Sequence, residues 1–327
     1  MSESDYSPEF VEALNAWEQG PPLGAEFVFD LPPTDKRKSD KVGVLMYQAV
    51  LMKQEHGDLD FSRIRAVTFT MDVHRTGEEL ENIAGHDLPQ YRNAAARLDV
   101  FHINLGPGQI LIITDELAVH SLSPQLATRL AAWELLRTEL ARSVAVARLA
   151  DLPDPVRPPD SARWHSFARY VWTEYFCGLH AAVQAMSTPM ARNRLREALE
   201  QDPVALAEAG RQFGRDGDLA EYATRAEGCA KGLCEAMAEV IGQLQGNQST
   251  LDDTDPHLGT LIQSHGLQPL WEALRTSLVG LGVRPDAWTD TDSLALLAAD
   301  ARNYLSQQGL HYVDGAVTHA ILPGPTH

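Results

Sequence analysis

A chain of 327 residues, 44% apolar and 22% charged, is long enough for one large or two ordinary domains around a real hydrophobic core. Its 45 acidic side chains against 27 basic ones give a formal net charge of −18, and so negative a surface argues against nucleic acid and membrane headgroups as partners. The acids are scattered, whereas mimicry of nucleic acid would need them in tracts. Residues 1–38 are rich in Pro, Asp and Glu and predict irregular structure around one short strand, Glu26–Phe29. From Ser39 the residues Val42, Leu45, Met46, Ala49 and Met52 keep helical spacing, with Gly57 placed as the stop. Arg65–Met71 is β-branched and aromatic and predicts a strand; a polar helical segment over Gly77–Ala84 follows. Asp99–Leu105 and Gln109–Thr114 flank Gly106-Pro107-Gly108 and predict a hairpin. Together these make an α/β lobe with a small mixed sheet.

After Ser123-Pro124 the pattern turns helical. One long helix is expected over 124–150, so the first lobe spans 39–150. The connector 151–160 follows, in which four prolines in ten residues forbid helix. A second long helix covers Ala162–Met186, and further helices fit 189–200, 203–213, 217–245, 257–280 and 293–307. The chain closes on a hairpin over 310–322, built around Asp314-Gly315. The expected fold class is α+β: an irregular opening segment, an α/β lobe, the connector, and a helical lobe over 161–327 that carries the hairpin.

Three cysteines, Cys177, Cys229 and Cys234, show no CxxC and no zinc-quartet spacing. Cys229 and Cys234 lie about 140° apart around a helix and cannot readily bridge. All three read as reduced thiols. The start MSESDYSPEF is acidic and lacks the apolar stretch of a secretion signal, and no apolar run approaches the roughly 18 residues of a membrane span. A cytoplasmic protein is expected.

The chemistry-bearing residues gather on the two long helices. Leu126, Leu130, Trp133, Arg137, Leu140 and Val144 follow one helical face, and Arg137 interrupts an otherwise apolar stripe. The next long helix is apolar nearly all round, yet carries Glu174 among Val171, Trp172, Tyr175 and Phe176. A buried carboxylate is costly unless paired, and Arg137 is the most conspicuous cation available to it.

The frame Trp133-Glu134-Leu135-Leu136-Arg137, followed by Glu174 on the next helix, resembles the gluzincin branch of the zincin metallopeptidases. There an α/β lobe leads into a helix bearing His-Glu-x-x-His, and a following helix supplies a glutamate as third zinc ligand. By position Glu134 matches the general base and Glu174 the third ligand. Trp133 and Arg137 stand where the two histidines belong. The likeness covers residues 40–186 and departs at its most important points: an indole offers only a donor N–H and a guanidinium is a permanent cation, so neither coordinates zinc. The resemblance therefore implies a lost metal site, no cofactor, and Arg137 standing in for the cation beside Glu174 and Glu134. The plainer reading makes Trp133 a core residue, sends Arg137 to the surface, and leaves Glu134 and Glu139 facing solvent.

Other constellations are thinner. Asp72-Val73-His74 at a strand end, with Glu78 and Glu79 after it, fits a solvated loop or a metal-dependent hydrolase site. His165, Arg169, Thr173 and His180 form a polar stripe that fits either the wet face of a helix or a binding surface. The sequence thus points to a catalytically inactive metallopeptidase-like protein that binds a protein or peptide in a bacterial cytosol. The rivals are a hydrolase built on Asp72 and His74 and a helical scaffold without a site. Oligomeric state is not encoded in any feature named above.

Overall fold

Four strands in the first third of the chain form one mixed sheet. The computed structural model describes residues 23–32, 34–57, 59–84, 100–104, 108–157, 159–181, 190–282, 288–313 and 316–319. The irregular segment expected before residue 23, the Gly106-Pro107 and Asp314-Gly315 turns, the helix end at 182–186 and the hairpin end at 320–322 lie outside them. The chain divides into two units, the first ending at Ala147 and the second starting at Arg148.

The first unit runs β1 (Glu26–Asp30), α1 (Lys38–His56), β2 (Ile64–Thr70), α2 (Val73–Ala84), β3 (Val100–Asn104), β4 (Gln109–Thr114), α3 (Asp115–His120) and most of α4 (Leu126–Asp151). The sheet order is β1-β2-β4-β3. β2 pairs in parallel with β1 and β4, and β3 closes one edge antiparallel to β4. Parallel neighbours require a crossover, which α1 supplies between β1 and β2. The middle strands read as apolar runs because both faces are covered: Val67, Phe69, Leu111, Ile112 and Ile113 are all buried. Phe29 sits opposite Phe69 in register, their rings stacked at 5.3 Å.

α1 ends where expected, at Gly57, whose φ of 66° suits glycine and whose N–H returns to the Lys53 carbonyl. The short helix α3 has no counterpart in the apolar periodicity. Six residues hold too few turns to show a period, but Thr114 caps Leu117 N–H and Asp115 and Glu116 occupy the first turn.

The second unit contains α5 (Pro159–Ala181), α6 (Met190–Asp216), α7 (Leu219–Gly246), α8 (Leu251–Thr254), α9 (Pro256–Ser264), α10 (Gln268–Leu281), a 3₁₀ turn (Thr291–Leu294), α11 (Ala295–Gln307) and the antiparallel pair β5 (Leu310–Val313) and β6 (Ala316–His319). The molecule is therefore α+β with a mostly helical body. Several boundaries differ from the sequence reading, the connector expected to be free of helix over 151–160 among them: α4 runs through Asp151 and α5 starts at Pro159, because a proline's missing N–H costs nothing in a first turn. The separate helices expected at 189–200 and 203–213 are the single helix α6, with Pro203 inside it. Proline removes one N–H there, and the buried stripe Leu195, Leu199, Leu206 and Ala209 holds the two halves to one line against α7. The segment 257–280 is instead broken: Asp255 caps α9 ahead of Pro256, and Gly266, at φ 69°, stops it before Pro269 opens α10.

α5 and α7 approach more closely than side chains normally allow. A Cβ on Gly178 would collide with the Glu239 carbonyl, and one on Gly242 with the Tyr175 carbonyl. One on Gly246 would stand 2.6 Å from the Leu179 oxygen. Trp172, Tyr175, Phe176 and Cys177 fill the remaining space, all fully buried. The terminal strands rest on this assembly, β5 against α11 and β6 against α7. No helix among the described residues is long and apolar enough to cross a membrane.

Candidate functional site

α4 lies against the sheet and α1. Gln109 of β4 donates to the Ser143 carbonyl at 3.0 Å, and the Tyr47 ring of α1 meets Trp133 edge-on at 5.9 Å. The face of α4 that carries the zincin-like frame is therefore packed. Trp133 is half-buried, donates its indole N–H to the Ser121 carbonyl at 3.0 Å, and receives the Arg129 guanidinium over its ring. Arg137 is 1% exposed and forks onto Glu55 in the last turn of α1, through Nη2 to Oε2 and through Nη1 to Oε1 at 3.5 Å. Arg137 thus does not reach the surface. Glu134 is also buried, at 5% exposure, and so is Glu139; neither faces solvent. Glu174 is buried on α5 and belongs to the other unit.

Glu139 shows how this interior tolerates charge. Burial pushes its carboxyl up, but Arg142, 3.0 Å away, and His102 of β3, whose Nδ1 is 3.1 Å away, outweigh burial and hold it at about 2. Neither Glu55 nor His102 carries a local motif; each is found only because α4 packs on α1 and β3.

Asp72 serves as the cap of α2: its Oδ1 accepts from Arg75 N–H at 3.0 Å, and its own N–H donates to the Thr70 hydroxyl at 2.9 Å. His74 is exposed one residue into α2. Among the described residues no group of three or more His, Cys, Asp or Glu side chains is placed to hold a metal ion.

Of the polar stripe on α5, His165 and Arg169 border a pocket of about 440 Å³ together with Asp154 and Arg157. Its charges are turned on one another. Arg169 and Arg157 both bind Asp154, the Thr291 hydroxyl donates to it at 2.8 Å, and Arg157 also binds Asp292. Burial raises Asp154, yet these partners bring it below the ordinary carboxylate range. His165 is lowered by burial and by the neighbouring Arg157. The cluster ties the connector to α5 and the 3₁₀ turn. His180 stands apart from it, buried with its ring 4.1 Å from that of Phe176.

A groove of about 710 Å³ lies elsewhere in the second unit, bordered by the end of α7, α8, α9 and α10. Ile241, Leu244, Trp271 and Val279 form its apolar side. Gln245, Thr260, Gln263 and Gln268 give it an amide and hydroxyl rim, with Asp252 and Glu272 as its acids. Tyr175 donates to Gln245 Oε1 at 2.5 Å, and burial pushes that phenol up to about 12, so it remains a donor. Glu272 is fixed by Arg275 at 2.7 Å and Gln268 at 3.1 Å. The glutamines of this rim belong to three different elements, so no sequence window contains the groove.

No family model matches the chain, and no curated protein or solved structure is significantly similar to it. Its function has to be argued from these sites alone.

Proposed function

We propose that this protein is a non-catalytic binding protein, related to the zincin metallopeptidases but without their metal, and that its helical unit takes an extended basic segment of a protein partner. The observation that carries this reading is the 710 Å³ groove with an apolar side and a rim of amides. Its size is that of ordinary ligand pockets, and amides can satisfy a peptide backbone while apolar walls take side chains. The net charge of −18 and the rim carboxylate of Asp252 favour a cationic occupant. The zincin part is supported by coarse element order, with β4, the short helix α3, the helix bearing Glu134, the connector and the helix bearing Glu174 in sequence. It is supported too by side chains at positions 133 and 137 that cannot ligate zinc.

The test is selection from a mixed peptide library by the purified protein, followed by fluorescence anisotropy on the selected sequences. Basic peptides are expected to be enriched and to weaken as salt rises. Thr260→Trp, which fills the groove from an exposed position, is expected to abolish binding. Enrichment of acidic peptides, or binding unchanged in Thr260→Trp, would overturn the proposal. The hydrolase reading on Asp72 and His74 is separated by elemental analysis: a stoichiometric metal lost in Asp72→Asn would favour it.

A further inference from the structure

α6 and α7 run antiparallel against each other. Arg194 binds Glu239 at 2.6 Å near one end of the pair, and the Phe213 and Tyr222 rings stack at 5.4 Å near the other. Leu195, Leu199, Asp202, Leu206 and Ala209 of α6 are spaced alternately by four and three residues, the spacing of a two-helix seam. The other four are buried and apolar, so a half-buried acid occupies the middle of an apolar line. Its Oδ2 reaches the α7 backbone at Gly232, where an added Cβ would stand 3.5 Å from it.

No countercharge meets this acid. The titratable groups that face it are the Cys229 thiol of α7 and the Tyr304 phenol of α11. Burial raises both, the phenol to about 12, so both stay neutral over the range in which a carboxyl titrates. On α6 itself the residues three and four positions away are Ala198, Leu199, Ala205 and Leu206. Lys231, next to Gly232 in the chain, is turned to the Tyr170 ring and to Glu235, and Asp300 of α11 is held by the Ser277 hydroxyl at 2.7 Å. Burial acts alone on Asp202 and pushes its carboxyl up to about 6.

Pro203 follows immediately. It lacks the N–H that would bond to the Leu199 carbonyl, so α6 is weakest beside its one seam acid. The two halves it separates are held unequally. In the first, Arg192 donates to the Thr254 carbonyl at 3.1 Å, Arg194 binds Glu239 and Arg196 binds Asp255. The second is held through Leu206, Ala209 and the Phe213–Tyr222 stack.

We infer that Asp202 and Pro203 form a pH-sensitive hinge in α6: ionisation of Asp202 loosens the second half of the helix from α7 while the first half stays anchored. The closed seam favours the neutral acid, so closure is strongest below pH 3.8 and weakens as pH rises to about 6. An acid that merely weakened the pair would loosen both halves alike; the proline joint and the three arginine anchors confine the effect to one. The hinge lies outside the peptide groove and does not depend on its occupant.

Hydrogen exchange on the full chain between pH 4 and pH 7, each rate divided by the intrinsic rate at that pH, tests the inference. Opening of residues 206–213 is expected to rise at least about tenfold across that range, the factor given by one unit of pKa difference between closed and open helix. Residues 191–199 should stay level. Asp202→Asn should hold 206–213 at the low-pH value throughout, whereas Asp300→Asn should leave the rise intact. Pro203→Ala, which restores the missing N–H, should spread a smaller rise over both halves. A flat profile for 206–213, an equal rise in 191–199 of the unmodified protein, a rise that survives Asp202→Asn or is lost in Asp300→Asn, or a pattern unchanged by Pro203→Ala overturns the hinge.

Discussion

Glu139 in the first unit and Asp202 in the second are both carboxylates drawn into a protein interior, and they come to opposite ends of the carboxylate range. Burial raises each. Glu139 meets Arg142 and His102 and falls to about 2. Asp202, with only burial acting on it, rises to about 6. Closed sets of charges occur in both units. In the first unit Arg137 has Glu55, and Lys41 has Asp35 and Asp115. In the second, Asp154 gathers Arg157, Arg169 and the Thr291 hydroxyl. Polar groups closed on one another hold a fold together. A carboxylate such as Asp202, on which burial acts alone, weakens it instead.

The largest effect is expected from breaking the closed set. Glu55→Gln removes the carboxylate in front of a guanidinium that is 1% exposed. The loss should be about 3–5 kcal/mol, towards the lower figure because Glu55 itself is partly in solvent. With Arg137→Met added, urea denaturation of the four proteins should give a coupling well above the roughly 1 kcal/mol of an exposed pair. Additive losses would mean that α1 and α4 are held by apolar packing alone, and the comparison between the units would lose its first half.

Acid titration sharpens it next. A carboxyl lowered from 4.5 to about 2 contributes stability that is present above pH 4.5 and is lost as pH falls through that window. The sum is on the order of 3 kcal/mol, and it should vanish from the pH profile of Glu139→Gln. Asp202 has the opposite sign: raised from 3.8 to about 6, it costs stability as pH rises through that window. Asp202→Asn should therefore gain on wild type between pH 4 and pH 6, by less than Glu139→Gln loses, because Asp202 is half in solvent. Parallel profiles for the two variants would contradict the difference in partners.

Close packing gives the third test. Gly178→Ala and Gly242→Ala each drive a methyl into a backbone carbonyl of the facing helix. A loss of about 2–3 kcal/mol is expected in thermal or urea unfolding. Unchanged stability would show that α5 and α7 can separate without loss.

Most of the fold was legible in the sequence because its signals are local. Strand alternation, Gly57 and the proline cluster at 151–160 each act within a few residues. The failures have the same root. Pro203 was given its usual weight as a helix breaker, and a buried stripe formed with α7 overrode it. The candidate site was half legible: Arg137 and Glu134 stood out as polar residues on an apolar helix, but Glu55, 82 positions away, has no pattern linking it to Arg137.

Gly228→Ala is the smallest change and the most discriminating. Alanine is favoured over glycine in a helix interior by about 0.5–1 kcal/mol, and the added methyl meets nothing within 4 Å. Thermal unfolding should therefore show a gain, where the same substitution at Gly178 or Gly242 shows a loss. A loss of stability at position 228 would instead assign this glycine to packing, like Gly242 and Gly246 in α7.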